Sequence, residues 1–222
     1  MTTALGALLT DAADGRFPAS DGGWRRVPPW RDGVEAVVAF TGHAVLAVAG
    51  DVDDAALDAL DPNGFGGAHD PRTVAALAGT GWIDALDAVL VTRGRGGPSS
   101  LLERDDLDGH PRVAHARWLR DDVRVLTDAE GHGFVTLAAG LGGLTEVSIE
   151  VEQPGRRHGR ALIESALAEV PGGEVVCAGV APGNAASLRA FLAVGFVPVA
   201  SAQLYVPERH PTLIKDFMPT RA

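Results

Sequence analysis

Val147-Ser148-Ile149-Glu150-Val151-Glu152-Gln153-Pro154-Gly155-Arg156-Arg157-His158-Gly159-Arg160-Ala161 carries the chain from a period of two into a period of 3.6. Val147, Ile149 and Val151 alternate with Ser148 and Glu150, as in a strand with one apolar face. Pro154 and Gly155 end that pattern. A helix follows over Gly159–Val170, where Leu162, Ile163, Ala166, Leu167 and Val170 recur at helical spacing and would cover a sheet. The N–H groups of a first helical turn lack intrahelical partners, and the helix dipole adds partial positive charge there. Such a junction accepts an anion such as a pyrophosphate. Gly159 lets a phosphate approach the backbone, Ala161 keeps the first turn narrow, and Arg156, Arg157 and Arg160 place three guanidinium groups within five residues. The plain alternative is a surface helix start with solvated arginines.

Downstream, the pattern predicts a strand at Glu174–Val180, a helix at Ala185–Val194 and a strand at Val197–Val206. Asn184 suits the N-cap of that second helix, Leu188, Phe191 and Leu192 form its buried stripe, and Gly195 suits the residue of positive φ that ends it. Upstream, strands are expected at Val123–Leu126, Phe134–Ala139 and Leu144–Val151, the first two joined across Asp128–Gly133, which makes an antiparallel meander. Leu86–Thr92 reads as a strand, Gly94–His110 as a loop and Arg112–Arg120 as a helix. The N-terminal third offers a helix at Thr3–Ala13, then a loop rich in Gly, Pro and Trp through Trp30. A hairpin follows, Val34–Phe40 and His43–Ala49 about Thr41-Gly42, and then helices at Asp53–Leu60 and Pro71–Ala78. The glycine-rich segment Asn63–Asp70 lies between those helices as a connector, with a lid over an acceptor pocket as its functional alternative. The expected fold class is α/β with a mixed sheet. Its boundary falls near residue 82: residues 1–82 form an N-terminal α/β extension of unassigned role and residues 83–222 the main domain.

Two stretches resemble one known family. Arg156-x-x-Gly159-x-Ala161 is similar to motif A of the GNAT superfamily of acyl-CoA-dependent N-acyltransferases, and Asn184 to Phe196, an Asn-capped helix ending in Gly-Phe, is similar to its motif B. The resemblance spans roughly residues 86 to 206 and is best over 123 to 200. It implies a central, mostly antiparallel sheet with two splayed strands and flanking helices, and acetyl-CoA as the acyl donor. Carried over residue by residue, Ile149, Glu150 and Val151 would offer backbone groups to the pantetheine arm. Arg156, Arg157, His158, Gly159, Arg160 and Ala161 would cradle the pyrophosphate, and Asn184 and Ser187 would lie near the thioester. The competing dinucleotide pattern G-x-G-x-x-G after a first strand is absent.

The family reaction is direct attack of a neutral amine on an acetyl thioester. The base candidates are Glu146 and Glu150, which share the strand face opposite Val147, Ile149 and Val151; Glu146 is preferred because family members often place a glutamate there. Both carboxylates simply facing water is the alternative. At the motif B position where the family commonly carries a tyrosine acid stands Phe191, which has no proton to give. Ser187 and Tyr205, the single tyrosine, are the substitutes. The missing tyrosine also supports a second reading, a non-catalytic acyl-CoA sensor or scaffold.

Composition narrows the rest. The 222 residues are 46% hydrophobic and 22% charged, with a formal net charge of -10. That composition excludes disorder, and the charge argues against a nucleic-acid partner. No run reaches the roughly 18 apolar residues of a membrane helix, so a cytoplasmic protein is expected; the family resemblance implies a small-molecule or peptide amine as acceptor. A homodimer is one option for its assembly. One cysteine, Cys177, cannot form an internal disulfide and is expected in the core. The seven histidines show no metal-ligand spacing, so no metal is assigned.

Overall fold

The computed structural model describes residues 2–152 and 158–217. Its elements in chain order are α1 (Ala4–Ala13), β1 (Trp24–Val27), β2 (Glu35–Phe40), β3 (His43–Ala47), α2 (Asp54–Asp58), α3 (Pro71–Ala78), β4 (Trp82–Arg93), β5 (Leu102–Glu103), α4 (Pro111–Leu119), β6 (Asp121–Thr127), β7 (Gly133–Ala139), β8 (Thr145–Val151), α5 (His158–Glu169), β9 (Val175–Val180), α6 (Ala185–Val194), β10 (Val197–Val206) and α7 (Pro211–Phe217). Short 3₁₀ turns occupy Gly67–His69 and Leu141–Gly143. No helix of the described residues is long and apolar enough to cross a membrane.

The chain divides into two compact units, Met1–Ala88 with Val199–Ala222, and Val89–Pro198. This differs from a single cut near residue 82. The first unit is discontinuous because β10 returns to it, pairing antiparallel with β2 from Ser201↔Ala39 to Tyr205↔Glu35. A period-2 apolar strand carries no mark of which sheet edge it will join, so sequence could not place this one.

In the first unit β2 and β3 form the expected hairpin, with Phe40 opposite His43. β1 adds to β3 in parallel, Trp24 opposite Ala44. The sequence reads as loop here, because the strand is only four residues long and lies directly between Gly23 and Pro28. Val37, Leu46, Val48, Leu57, Val74, Leu77 and Tyr205 form the core beneath α2 and α3. Asp53 caps α2 and Asp70 caps α3, each accepting a hydrogen bond from the N–H two residues on.

In the second unit β5, β6, β7 and β8 are antiparallel neighbours, and β9 adds to β8 in parallel. β5 interrupts the segment expected to be loop, with Leu102 opposite Thr127. The apolar side chains of β7, β8 and β9 pack with Leu162, Ile163, Ala166 and Leu167 of α5 and with Phe191 and Val194 of α6. Each large side chain buried there contributes about 1.5–3 kcal/mol of hydrophobic stabilisation. Leu192, placed in the buried stripe of α6 by its spacing, is 47% exposed instead, while Leu188 packs at the edge of the core.

Candidate active site

β8 pairs with β7 along its whole length, from Thr145↔Ala139 to Val151↔Gly133. On its other edge the parallel register with β9 covers Thr145↔Val176 and Glu146↔Cys177. Beyond that point the two strands part, so the β9-facing backbone of residues 147–151 is not held in a described ladder. Backbone N–H and C=O groups are obligatory hydrogen-bonding groups, and an amide-bearing ligand lying along that edge would satisfy them. α5 begins just past the end of this strand. A parallel pair that opens toward a helix start, beside an antiparallel meander, is the arrangement expected from the two motifs. The second unit is thus a mixed sheet with α5 and α6 packed on it.

The cradle residues fall into two groups. Gln153, Pro154, Gly155, Arg156 and Arg157 lie outside the described residues. His158 opens α5 with its ring stacked on His132 of the β6–β7 turn, centroids 3.8 Å apart. Gly159 serves the strand first: a Cβ there would stand 3.2 Å from Ile149 Cδ1 and 3.6 Å from Val151 Cγ1, so the missing side chain lets the helix start press onto β8. Arg160 donates to Glu164, 2.9 Å away and one turn on, and Ala161 is exposed.

α6 has the ends that sequence predicts. Asn184 Oδ1 accepts the Ser187 N–H at 3.1 Å, so the side-chain oxygen expected near a thioester is engaged in capping. Gly195 at φ 104° takes the left-handed turn, and Phe196 N–H reaches back to Phe191 C=O at 3.1 Å. Phe191 is core, 3% exposed and edge-on to Phe196 at 4.9 Å. Ser187 is half-buried.

The two carboxylates depart furthest from expectation. Glu146 and Glu150 do share a face of β8, but α4 lies across that face and its arginines take both. Arg120, the C-cap of α4, donates to Glu146 Oε1 at 2.5 Å, and Arg112 in its first turn donates to Glu150 Oε2. The match is geometric: four strand residues span about 13 Å, and eight helix residues span about 12 Å. Glu146 is also buried, and its Oε2 accepts the Leu141 N–H at 2.9 Å. A buried carboxylate with both oxygens engaged acts as a structural anchor, a role that competes with that of the free base expected at Glu146. Glu150, 39% exposed, keeps access to solvent. The eight-residue spacing of Arg112 and Arg120 against the four-residue spacing of the glutamates was the available signal, though only a known helix-on-strand contact gives it meaning.

Cys177 lies in the core as expected, and burial pushes its thiol well above the ordinary range, so it is no nucleophile. Tyr205 belongs to the first unit and is fully buried; burial, then the neighbouring Glu35 carboxylate, push its phenol up. Asn63–Asp70 is more ordered than a plain connector: Asn63 Oδ1 accepts from Phe65 and Gly67, and the 3₁₀ turn follows. Asp128, Glu130 and His132 in the β6–β7 turn bring one possible metal-ligand atom each within 4.8 Å of the others. Two of the three are carboxylates, so the spacing of the histidines alone carries no sign of this group.

No known protein-family model and no curated protein matches the sequence. Solved structures similar to this chain include a GNAT-family protein from Novosphingobium aromaticivorans, at 16% identity over 57% of this chain and 67% of that one, TM-score 0.37. A conserved protein of unknown function from Staphylococcus epidermidis matches at 12% identity over 61% and 66%, TM-score 0.39. A GCN5-related N-acetyltransferase from Kribbella flavida matches at 17% over 64% and 65%, TM-score 0.36. The chain thus spans about two thirds of the length of each.

Proposed function

We propose that the protein is an acyl-CoA-dependent N-acyltransferase that moves an acetyl group from acetyl-CoA to a primary amine of a small molecule or peptide. The observation that carries this reading is the parting of β8 from β9 after Glu146↔Cys177, which leaves a strand edge for the amides of a pantetheine arm directly before a helix start. Arg156 and Arg157, in the segment just before α5, supply charge for the diphosphate.

The engaged carboxylates bear on the acceptor. An amine must be neutral to attack, and at pH 7 that costs about 4–5 kcal/mol for a lysine-like amine but only about 1 kcal/mol for an α-amine. With Glu146 held by Arg120 and Glu150 by Arg112, the site favours an amine that is already largely neutral near pH 8. The thiolate of CoA, whose conjugate thiol has a pKa of about 8.5, leaves without an acid, which accommodates Phe191. Purified protein given acetyl-CoA and a panel of α-amines, polyamines and aminoglycosides, with free thiol measured, tests this. Amine-dependent thiol release, fastest with low-pKa amines, is expected.

Phe191, buried where the family resemblance calls for a tyrosine acid, favours one second reading, a non-catalytic acyl-CoA sensor or scaffold. Saturable binding of acetyl-CoA with no amine-dependent thiol release would select it.

A further inference from the structure

The first unit holds a second chemical constellation. Ser201 stands opposite Ala39 in the β10–β2 ladder, two residues from Gln203 and four from Tyr205, so the three side chains share a sheet face. Tyr205 is in the core beneath α2 and α3, which fixes that face toward the segment that enters α3. His69 closes the 3₁₀ turn Gly67–His69 and is held from both sides: Ala68 is fully buried in the same core, and Asp70 is the N-cap of α3. In this position His69 Nε2 lies 2.9 Å from Ser201 Oγ.

That is the separation of a nucleophile from its base. Burial holds the imidazole of His69 below its ordinary range, so near pH 7 it is neutral and able to accept a proton. When Ser201 donates, Nε2 is the acceptor and Nδ1 bears the ring hydrogen. Nδ1 is shielded from solvent and has no hydrogen-bond partner among the described residues. Ser201 and His69 are each half-buried rather than fully buried, and Phe65 on the adjoining glycine-rich segment is 75% exposed.

We propose that Ser201 and His69 form a nucleophile–base pair that accepts an acyl group from activated esters and thioesters. Ser201 Oγ bonds to the acyl carbon as its proton passes to His69 Nε2. The bond from that carbon to the leaving oxygen or sulfur then breaks, and His69 returns the proton to the departing alkoxide or thiolate. The products are an O-acyl serine and one free alcohol or thiol. Loss of the orienting carboxylate behind a catalytic histidine costs about 10⁴ in rate; with none behind Nδ1, the acyl-serine forms slowly and accumulates, and rapid turnover is not expected. This inference is independent of the coenzyme reading of the other unit.

The test uses the full-length protein with p-nitrophenyl acetate, followed by peptide mass mapping, and a fluorophosphonate probe in parallel. The expected result is one acetyl group on the Ser201 peptide, probe labelling at the same residue, and loss of both in Ser201→Ala. His69→Phe should slow labelling by about 10²-fold or more, the scale of a general base. As a guard against misfolding, Ser201→Cys in the folded protein should be alkylated by iodoacetamide faster than Ser201→Cys with His69→Phe. Absence of a Ser201 adduct with both reagents in the folded wild type, or a labelling rate within about twofold after His69→Phe, overturns the proposal.

Discussion

Replacing Glu146 by Gln separates an anchor from a base. In the structure the Arg120–Glu146 pair has side-chain exposures of 15% and 7%, and Glu146 also receives the Leu141 N–H. Removing one partner of a buried ion pair costs about 3–5 kcal/mol, because the other charge stays buried without compensation. Glutamine keeps an oxygen for Leu141 and nearly the same volume, which places Glu146→Gln at the lower end, about 3 kcal/mol. For a chain of this size each kcal/mol moves Tm by about 2–4 °C, so a fall of roughly 6–12 °C is expected. Arg120→Met should fall by a similar amount. The double change Arg120→Met with Glu146→Gln removes both charges and keeps the acceptor for Leu141 N–H, so it should cost less than the two single changes summed, a coupling of about 2 kcal/mol or more. Thermal unfolding and thiol-release kinetics are measured on the same preparations. A Glu146→Gln protein with Tm within about 1 °C of wild type but with turnover lost would refute the structural role and restore Glu146 as the base.

Three further outcomes follow from local geometry. Asn184→Ala removes the acceptor for Ser187 N–H and should cost about 1 kcal/mol in denaturant unfolding, while Asn184→Asp retains stability. Gly195→Ala meets open space but sits at φ 104°, so a cost of about 1–2 kcal/mol there would come from backbone conformation alone, and a neutral result would contradict the left-handed cap. The hydrogen bond from His43 to Asp21 at 2.9 Å holds the Asp21 carboxyl below its ordinary range. The native-state value being depressed, the stabilisation from this pair is present above the ordinary carboxyl pKa of 3.8 and is lost as pH falls through the lowered value. Carboxyl NMR titration of His43→Ala should move Asp21 back toward 3.8.

The ends of α6 were legible from single residues, because a cap is a local event: Asn184 and Gly195 stand where the side chain, or the lack of one, requires. Strands β6 to β9 were legible from alternation between turn signals. What escaped needs partners distant in sequence. β1 becomes a strand only because β3 offers it an edge, and β10 belongs to the first unit only through β2. The face of β8 carrying Glu146, Ser148 and Glu150 was correctly separated from the apolar face. Sequence could not show that Arg112 and Arg120 would cover it, nor that Gly159 would press on Ile149. The strand-to-helix junction was therefore easier to read than the ion pairs on the other face of β8: the junction is encoded contiguously, and the pairs are not.

Calorimetric titration of the purified protein with CoA tests the central claim most directly, since the opening between β8 and β9 is proposed to bind that molecule. Saturable heat at one site per chain is expected, reduced at least tenfold in affinity by Arg157→Glu as a guanidinium on a diphosphate is replaced by a like charge. Absence of heat from folded protein, or heat unchanged by Arg157→Glu, would contradict the account.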